Sequence, residues 1–180
     1  MLVSPARAQG GFTVIEMMIA IALIALLTLF SMPMYRTWLQ NSQLRASAES
    51  IAAGLQQART EAVRLNDSQG VRFRLDGNAW FVERVSDGSL VQQGGGGDLS
   101  QNAVVTPTPS GVTQVIFNPL GQTNLAAPLD IDVTHADTAN FKCIVDGGEA
   151  RCLRVQVRAG GLVRLCDTSV TAAGDPRQCL

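Results

Sequence analysis

The stretch that decides the fold runs from Phe12 to Phe30 and reads FTVIEMMIAIALIALLTLF. Its one charged residue is Glu16, and continued to Tyr35 it has the length of about 20 apolar residues that a bilayer-spanning helix needs. A core helix of such uniform apolar character would need covering on all sides, which a chain of 180 residues does not provide. We therefore predict a transmembrane helix over residues 12–35.

A short polar leader, MLVSPARAQ, and the pair Gly10 and Gly11 precede this helix. A cleaved secretory signal peptide is the alternative interpretation, but its cleavage site would follow the apolar core, where the chain reads SMPMYRTW. Cleavage after Gly11 would free an amine on Phe12, about one helical turn from Glu16. A carboxylate in an apolar stretch costs about 2.5–3.5 kcal/mol, so we expect Glu16 to have a partner.

The composition as a whole is that of an ordinary protein of about one domain. Of the 180 residues, 46% are hydrophobic and 16% are charged, and the formal net charge is -1. These values disfavour a disordered chain, a collagen-like fibre and a strongly basic nucleic-acid binder.

An amphipathic helix is predicted to continue the apolar one. Pro33 removes one backbone hydrogen bond and is expected to kink the path. The residues from Asn66 to Gly70 mark the helix end. One apolar stripe follows steps of three and four, as expected for a face that packs on a sheet: Leu44, Ala48, Ile51, Leu55, Ala58, Ala62 and Leu65.

From Gly70 onward the hydrophobic period changes to two, which is typical of β strands. A hairpin is predicted from strands at 71–75 and 80–85 and a turn at Asp76, Gly77 and Asn78. Further strands are predicted at 112–117, 129–133, 141–145, 153–158 and 162–166. We interpret residues 94–97 and 107–109 as flexible loops. The predicted class is α+β: a long N-terminal helix, half transmembrane and half amphipathic, packed on an antiparallel β-sheet domain.

Four cysteines lie near the C-terminus: Cys143, Cys152, Cys166 and Cys179. No Cys-x2-Cys pair is present, which disfavours a zinc site and favours two disulfides in an oxidising compartment. Three pairings are open. We favour Cys143 with Cys152, across a turn at residues 146–148, and Cys166 with Cys179, which would staple the tail.

Residues for catalysis are few. His135 is the only histidine, which excludes a two-histidine metal site, and we expect it at the surface or in a turn. Asp130 and Asp132 alternate with Ile131 and should share one solvated face. No nucleophile elbow or nucleotide motif occurs. We predict no catalytic residue, no cofactor and no metal site, and therefore no enzyme.

The N-terminal residues resemble the class III signal and transmembrane helix of type IV pilins and type II secretion pseudopilins. Gly11, Phe12 and Glu16 stand at the spacing of that motif, and Pro33 lies later in the helix. The resemblance implies that a prepilin peptidase cleaves after Gly11 and methylates Phe12. It also implies that Glu16 pairs with the N-terminal amine of a neighbouring subunit during assembly.

A second string, AESIAAGLQQARTEAVRLN from Ala48 to Asn66, is followed by a strand and resembles the FimT, FimU and GspH branch of minor pilins. The resemblance implies the pilin fold. The expected domains are the leader at 1–11, the transmembrane and assembly half of the helix at 12–35, the amphipathic half at 36–68 and a periplasmic β-sheet domain at 69–180.

A DNA-binding role is one alternative. Some members of the FimT branch bind DNA through a C-terminal Gly-Arg-x-Arg motif, and the matching place here reads Gly161, Leu162, Val163, Arg164. Only Arg164 carries over. Arg154 and Arg158 share strand parity and are expected to form one basic face with Arg164, so these three are the candidate DNA contacts.

The function predicted from this resemblance is a minor pilin that helps initiate or cap a type IV pilus. The alternatives are a GspH-like pseudopilin of type II secretion and a DNA-binding minor pilin for uptake. Expected partners are other minor pilins or pseudopilins, the major pilin, the prepilin peptidase and the inner membrane. The chain should cross the bacterial inner membrane once, with its C-terminal domain in the periplasm, before it joins a pilus or pseudopilus.

Overall fold

The computed structural model describes residues 11–77, 79–95 and 99–179. The first of two compact units ends at Arg36, and the second begins at Thr37. Several predicted features lie outside the described residues: the leader except for Gly11, Asn78 of the first turn, Gly96 and Gly97 of the loop predicted at 94–97, and Leu180.

One helix, α1 (Val14–Leu65), runs through both predicted halves. It is followed by Asn66, whose backbone φ is 50°. Asparagine tolerates this left-handed conformation better than most residues do, which makes it a natural helix terminator. The helix therefore ends in the polar turn that the sequence marks.

The first unit carries the apolar half of α1. Every large apolar side chain described between Phe12 and Tyr35 is more than half exposed. Within the described residues no single helix is long and apolar enough to cross a membrane, but two helical segments, Val14–Leu29 and Met34–Leu65, satisfy both criteria as a pair across a break. Pro33 lies in that break. A single copy of the chain thus leaves this apolar surface uncovered.

The amphipathic half of α1 packs on the sheets through the predicted stripe. A helix that repeats apolar residues every three or four positions presents them on one face. Leu65, the last residue of the stripe, is partly buried against the core. The other six are buried: Leu44, Ala48, Ile51, Leu55, Ala58 and Ala62.

Eight strands in the described part of the second unit form two antiparallel sheets. The first sheet contains β1 (Val71–Asp76), β2 (Ala79–Arg84), β3 (Leu90–Gly95) and β5 (Gln114–Phe117). The second contains β4 (Ala103–Thr108), β6 (Leu129–His135), β7 (Leu153–Val157) and β8 (Val163–Asp167). Their spatial orders are β3-β2-β1-β5 and β4-β6-β7-β8.

Trp80 of β2 joins α1 to the first sheet. Its ring stacks on Phe73 of β1 with the centroids 5.9 Å apart, and its Nε1–H donates to Ser50 Oγ of α1 at 3.0 Å. A Cβ at Gly54 of α1 would lie 2.8 Å from this ring, closer than side chains approach one another. Glycine at this position therefore lets the helix and the sheet come together.

The structure confirms the α+β class and the antiparallel pairing, with two sheets in the domain. The predicted hairpin is formed by β1 and β2, in register from Val71 opposite Arg84 to Asp76 opposite Ala79. The strands predicted at 112–117, 129–133, 153–158 and 162–166 correspond to β5, β6, β7 and β8.

Three local predictions were wrong. Residues 141–145 form no named strand: a short 3-10 helix occupies Ile144–Asp146, and Cys143 makes only an isolated bridge with Ala150. Strand β3 includes Gly94 and Gly95 of the loop predicted at 94–97, and β4 includes Pro107 and Thr108 of the loop predicted at 107–109. Proline has no N–H to donate. Strand β4 lies at the edge of its sheet and forms sheet hydrogen bonds on one side only, so it can contain a proline.

Candidate assembly segment and candidate nucleic-acid face

The predicted cleavage site lies at the start of the described chain. Gly11, Phe12 and Thr13 precede α1 and belong to no regular secondary structure. The residue Phe12 is 84% exposed, and a Cβ built on Gly11 would meet none of the described residues within 4 Å. Exposed terminal chain of this kind is where peptidases act most readily.

Thr13 and Glu16 close the first turn of α1. The backbone N–H of Glu16 donates to Thr13 Oγ1 at 3.3 Å, and the backbone N–H of Thr13 donates to Glu16 Oε2 at 3.3 Å. This reciprocal pattern is a capping box, in which two otherwise unpaired donors at a helix start are satisfied. The sequence analysis missed it, although Thr-x-x-Glu before an apolar run is its signature.

The capping box leaves part of the Glu16 carboxylate available. Both the N–H and the hydroxyl of Thr13 donate to Oε2, at 3.3 and 3.4 Å. An ionised carboxylate offers about four lone-pair sites on two oxygens. Glu16 can therefore cap its own helix and still accept from a further donor.

The disulfides are Cys143–Cys152 and Cys166–Cys179, which is the pairing favoured from the sequence. The second bond ties the tail to β8, where Asp167 also forms a bridge with Gln178. The first bond closes a loop of residues 143–152, named here the disulfide loop. All four cysteines are thus used for cross-links.

The disulfide loop lies against the beginning of the second unit's helix. Thr37 Oγ1 donates to Glu149 Oε2 at 3.2 Å, and Asn41 Nδ2 donates to the Glu149 carbonyl at 3.2 Å. The N–H of Arg151 donates to Asn41 Oδ1 at 2.7 Å. The amide side chain of Asn41 therefore binds the loop as a peptide group would. These partners are more than 100 residues apart in sequence, so no local signal announced them.

The candidate DNA contacts share one face of the second sheet with two aspartates. Arg154 lies opposite Asp132, and Gln156 lies opposite both Asp130 and Arg164 in the register of β6, β7 and β8. Arg154 donates to both carboxylate oxygens of Asp132, at 2.7 and 3.0 Å. This hydrogen bonding raises the pKa of Arg154 above its usual value, further helped by the negative charge of both aspartates.

The other two arginines of this face are also engaged. Arg158 pairs with Asp130 at 3.2 Å, and Arg164 donates to the carbonyl of Pro176 in the tail at 2.6 Å. Three arginines and two aspartates leave a surplus of one positive charge on the face. The structure brings together the three predicted arginines, but with carboxylates that the sequence analysis assigned to a merely solvated face.

His135 is buried, which corrects the prediction of a surface or turn position. It is the last residue of β6, and its ring meets Phe141 edge-on with the centroids 4.9 Å apart. Its Nδ1 accepts from the N–H of Asp137 at 3.0 Å, whereas Nε2 is buried and finds no partner among the described residues. The ring fills the end of the core because β6 continues two residues beyond its predicted end.

No group of three or more histidine, cysteine, aspartate or glutamate side chains is placed to hold a metal ion in the described part of the chain. Asp130 and Asp132 face arginines, and the cysteines are bonded to each other.

Comparisons with known proteins extend these observations. The family model described as type II transport protein GspH matches residues 47–161, and the prokaryotic N-terminal methylation motif matches residues 6–32. No curated protein matches the chain at a significant level.

Two crystal forms of the Pseudomonas aeruginosa type IV minor pilin FimU are similar in fold. One has a TM-score of 0.55 at 15% identity and covers 71% of this chain and 91% of its own. The other has a TM-score of 0.51 at 16% identity, covering 67% and 90%. At such identity the likeness speaks for the pilin fold alone.

The match to the GspH model begins within the amphipathic half of α1, runs through the strands from β1 to β7 and ends before β8. It thus covers well over half of the chain, and the methylation motif covers the apolar segment that precedes it. The chain belongs to the GspH family of pilin-like proteins.

Proposed function

We propose that this chain is a minor pilin that helps initiate or cap the assembly of a type IV pilus. The observation that carries the proposal is the uncovered apolar row from Phe12 to Tyr35, which holds one carboxylate, Glu16, in its first turn. Soluble proteins rarely leave so large an apolar surface open. Lipid covers it first, and the helices of other subunits cover it after assembly.

Processing would complete this segment. A prepilin peptidase would cut after Gly11 and methylate Phe12, in line with the methylation motif at residues 6–32. Glu16 would then accept from the N-terminal amine of a neighbouring subunit, through the oxygen that its capping box leaves available. The amine would offset part of the cost of a carboxylate in the membrane.

The location and partners follow from the same segment. The chain would cross the bacterial inner membrane once and hold residues 69–180 in the periplasm. The two disulfides support this side, because such bonds persist in oxidising compartments. Its partners would be other minor pilins or pseudopilins and the major pilin, met through the N-terminal helix. The role is structural and requires no catalysis.

A pseudopilin of type II secretion is the second candidate. It is favoured by the description of the matching family, a type II transport protein. The pilus is favoured by the fold of FimU, whose own description is a type IV minor pilin, and by the tail held by Cys166–Cys179. The type IV pilus and the type II secretion pseudopilus both require an N-terminal helix of the same chemistry. The segment at 12–35 therefore does not distinguish the two candidate functions.

Deletion of the gene separates the two candidates. We expect loss of surface pili, scored by electron microscopy and by the amount of sheared pilin, with type II substrates still released into the medium. Retained pili with substrates trapped in the periplasm would replace the proposal by the secretion role. Complementation with the wild-type gene is the control.

Processing is tested with Gly11→Val. A branched side chain at the residue before the cut should leave a precursor that is longer by 11 residues and does not assemble. Mass spectrometry of membrane fractions gives the N-terminus. The neighbouring glycine supplies the control, since Gly10→Val should be processed. A Gly11→Val chain that starts at methylated Phe12 would overturn the cleavage role of Gly11, and an uncleaved chain that still assembles would overturn the need for processing.

A further inference from the structure

We propose that the disulfide loop is a second membrane contact, in which Ile144 and Val145 enter the lipid surface. The inference rests on the proposed function, because it requires the segment at 12–35 to lie in the bilayer. It adds a lipid-binding surface on the folded domain, far in sequence from that segment.

The covalent chain keeps the loop near the membrane. Glu149 of the loop is bound to Thr37, two residues after the end of the predicted transmembrane segment at Tyr35. Two residues of chain reach at most about 7 Å. The polar headgroup layer is about 5–8 Å deep on each side of the hydrocarbon, so the contact between Thr37 and Glu149 falls at or within that layer.

The loop presents apolar side chains outward on a fixed backbone. Ile144 is 40% exposed and Val145 is 57% exposed, both on the short helix Ile144–Asp146. The N–H of Ile144 donates to the Ala150 carbonyl at 2.9 Å, and the Cys143–Cys152 bond closes the base. A solvent-facing loop would be expected to carry polar side chains here. Apolar side chains held in position bind a lipid surface with little loss of conformational entropy.

The helix turn beneath the loop has the same character. Trp38 and Leu39 of α1 are both exposed. Tryptophan is enriched where bilayer and water meet, because its ring is apolar and its N–H is polar. Trp38 and Leu39 follow Thr37, which binds the loop, within one helical turn, so the turn that contacts the loop also exposes apolar side chains.

The charges around the loop favour an apolar contact over an electrostatic one. Lys142 and Arg151 are exposed, as are Asp146 and Glu149. The charges of the two cations and two anions cancel, so anionic lipid should not strengthen the binding of the loop to the membrane. We therefore expect penetration into neutral phosphatidylcholine, driven by Ile144 and Val145.

Tryptophan quenching tests this with the full-length chain in phosphatidylcholine nanodiscs whose acyl chains are brominated. Trp38→Phe leaves Trp80, which is buried and sets the baseline. We then add Val145→Trp or, in a second variant, Ile144→Trp. The brominated lipid should quench at least half of the fluorescence of the added tryptophan.

The matched control is Leu120→Trp in the same background. Leu120 is 77% exposed and adjoins Gly121, which packs on Arg59 of α1. Arg59 lies 22 residues beyond Thr37, which is about 33 Å along the helix. The tryptophan at position 120 should therefore not be quenched. Circular dichroism and disulfide content show that each variant is folded.

The outcomes separate the inference from the proposed function. Trp38 of the wild-type chain reports on the transmembrane segment, three residues away. Quenched Trp38 with unquenched tryptophans at 144 and 145 would overturn the loop contact and leave the anchor intact. Unquenched Trp38 would overturn the membrane anchor itself. Equal quenching of Val145→Trp and Leu120→Trp would also overturn the contact, because it would show no preferred surface.

Discussion

Glu16 has one observed and one proposed role, and substitution can separate the two. Its carboxylate closes the capping box with Thr13, which any acceptor of the same shape can do. Its negative charge is needed only for the proposed pairing with the amine of another subunit. A glutamine at position 16 can still accept the hydrogen bonds of the capping box but carries no charge. Glu16→Gln therefore tests the charge alone.

We expect Glu16→Gln to enter the membrane in normal amounts and to fail in assembly. Thr13→Val is the matched control, because it removes the capping hydroxyl and keeps the carboxylate. It should cost about 1 kcal/mol of local helix stability and spare assembly. The measurement is the ratio of assembled to membrane-bound protein in sheared fractions. Wild-type assembly by Glu16→Gln would exclude a role for the charge.

Asp175 in the tail should titrate unusually low. The side chain and backbone N–H of Arg177 both donate to its carboxylate and lower its pKa from 3.8 to about 2. Because the folded pKa is depressed, the stabilisation is complete above pH 3.8 and is lost as the pH falls through about 2.

Carboxyl chemical shifts in an NMR titration give the midpoint for Asp175. In Arg177→Gln the charged donor is removed and the backbone N–H is retained, so the midpoint should rise toward 3.8. Asp87, whose pKa is lowered by Ser89 instead, should not change in this variant. An unaltered Asp175 midpoint would show that Arg177 does not pair with it in solution.

At the scale of elements, the tail is attached to β8 by separable contacts. The Cys166–Cys179 bond closes a loop with a sequence separation of 13 residues, and Arg164 holds the Pro176 carbonyl. Cross-linking a loop of this length stabilises a protein by about 3 kcal/mol, mainly by restricting the unfolded chain. The core cluster contains none of the described residues after Leu165.

We therefore expect Cys166→Ser with Cys179→Ser to lower the free energy of unfolding by about 2–4 kcal/mol and to leave the fold intact. Hydrogen exchange should show loss of protection after residue 167, with β6 and β7 unchanged. Urea unfolding of the full chain in detergent gives the stability. If β7 also lost protection, the tail would be part of the folding unit and not an attachment to it.

Elements with a strong local pattern could be predicted from the sequence. The stripe of α1 and the alternation around Val155 gave correct elements, because a helix and a one-faced strand each have their own period. Residues 141–145 are mostly apolar, as in a strand, yet Cys143 lies in a short cross-linked loop. Pro107 suggested a loop because the sequence does not say which strand lies at an edge.

At the scale of the whole molecule, ion pairs form between residues that are far apart in sequence and lie on neighbouring strands. Asp130 and Arg158 are 28 residues apart and pair only because β6 and β7 are neighbours in one register. The sequence analysis placed the arginines on one face correctly but could not place the aspartates there. Strand order and register are products of the entire fold, so no local pattern reveals them.

DNA binding through Arg154, Arg158 and Arg164 therefore stays a prediction that the charge balance disfavours. With a surplus of one positive charge, we expect binding too weak to persist at about 150 mM salt, because phosphate contacts dominate DNA affinity. Fluorescence anisotropy of the full chain in nanodiscs, titrated with salt, measures it.

A matched pair of variants decides whether this face is the site. Asp130→Asn with Asp132→Asn raises the surplus to three and should tighten any binding at least tenfold at low salt. Arg45→Gln with Arg64→Gln, which alters arginines paired on α1, should change nothing. If the aspartate variant binds no better, the face is not a DNA contact.

Pro107 in β4 has a consequence for how copies of the chain avoid one another. An open sheet edge offers unpaired N–H and carbonyl groups that can recruit a strand from a second molecule and begin aggregation. A proline as the fifth of the six residues of this edge strand withholds one donor and shortens that template. Where copies of the chain share one membrane, as proposed, edge-to-edge polymerisation of their sheets is thereby discouraged.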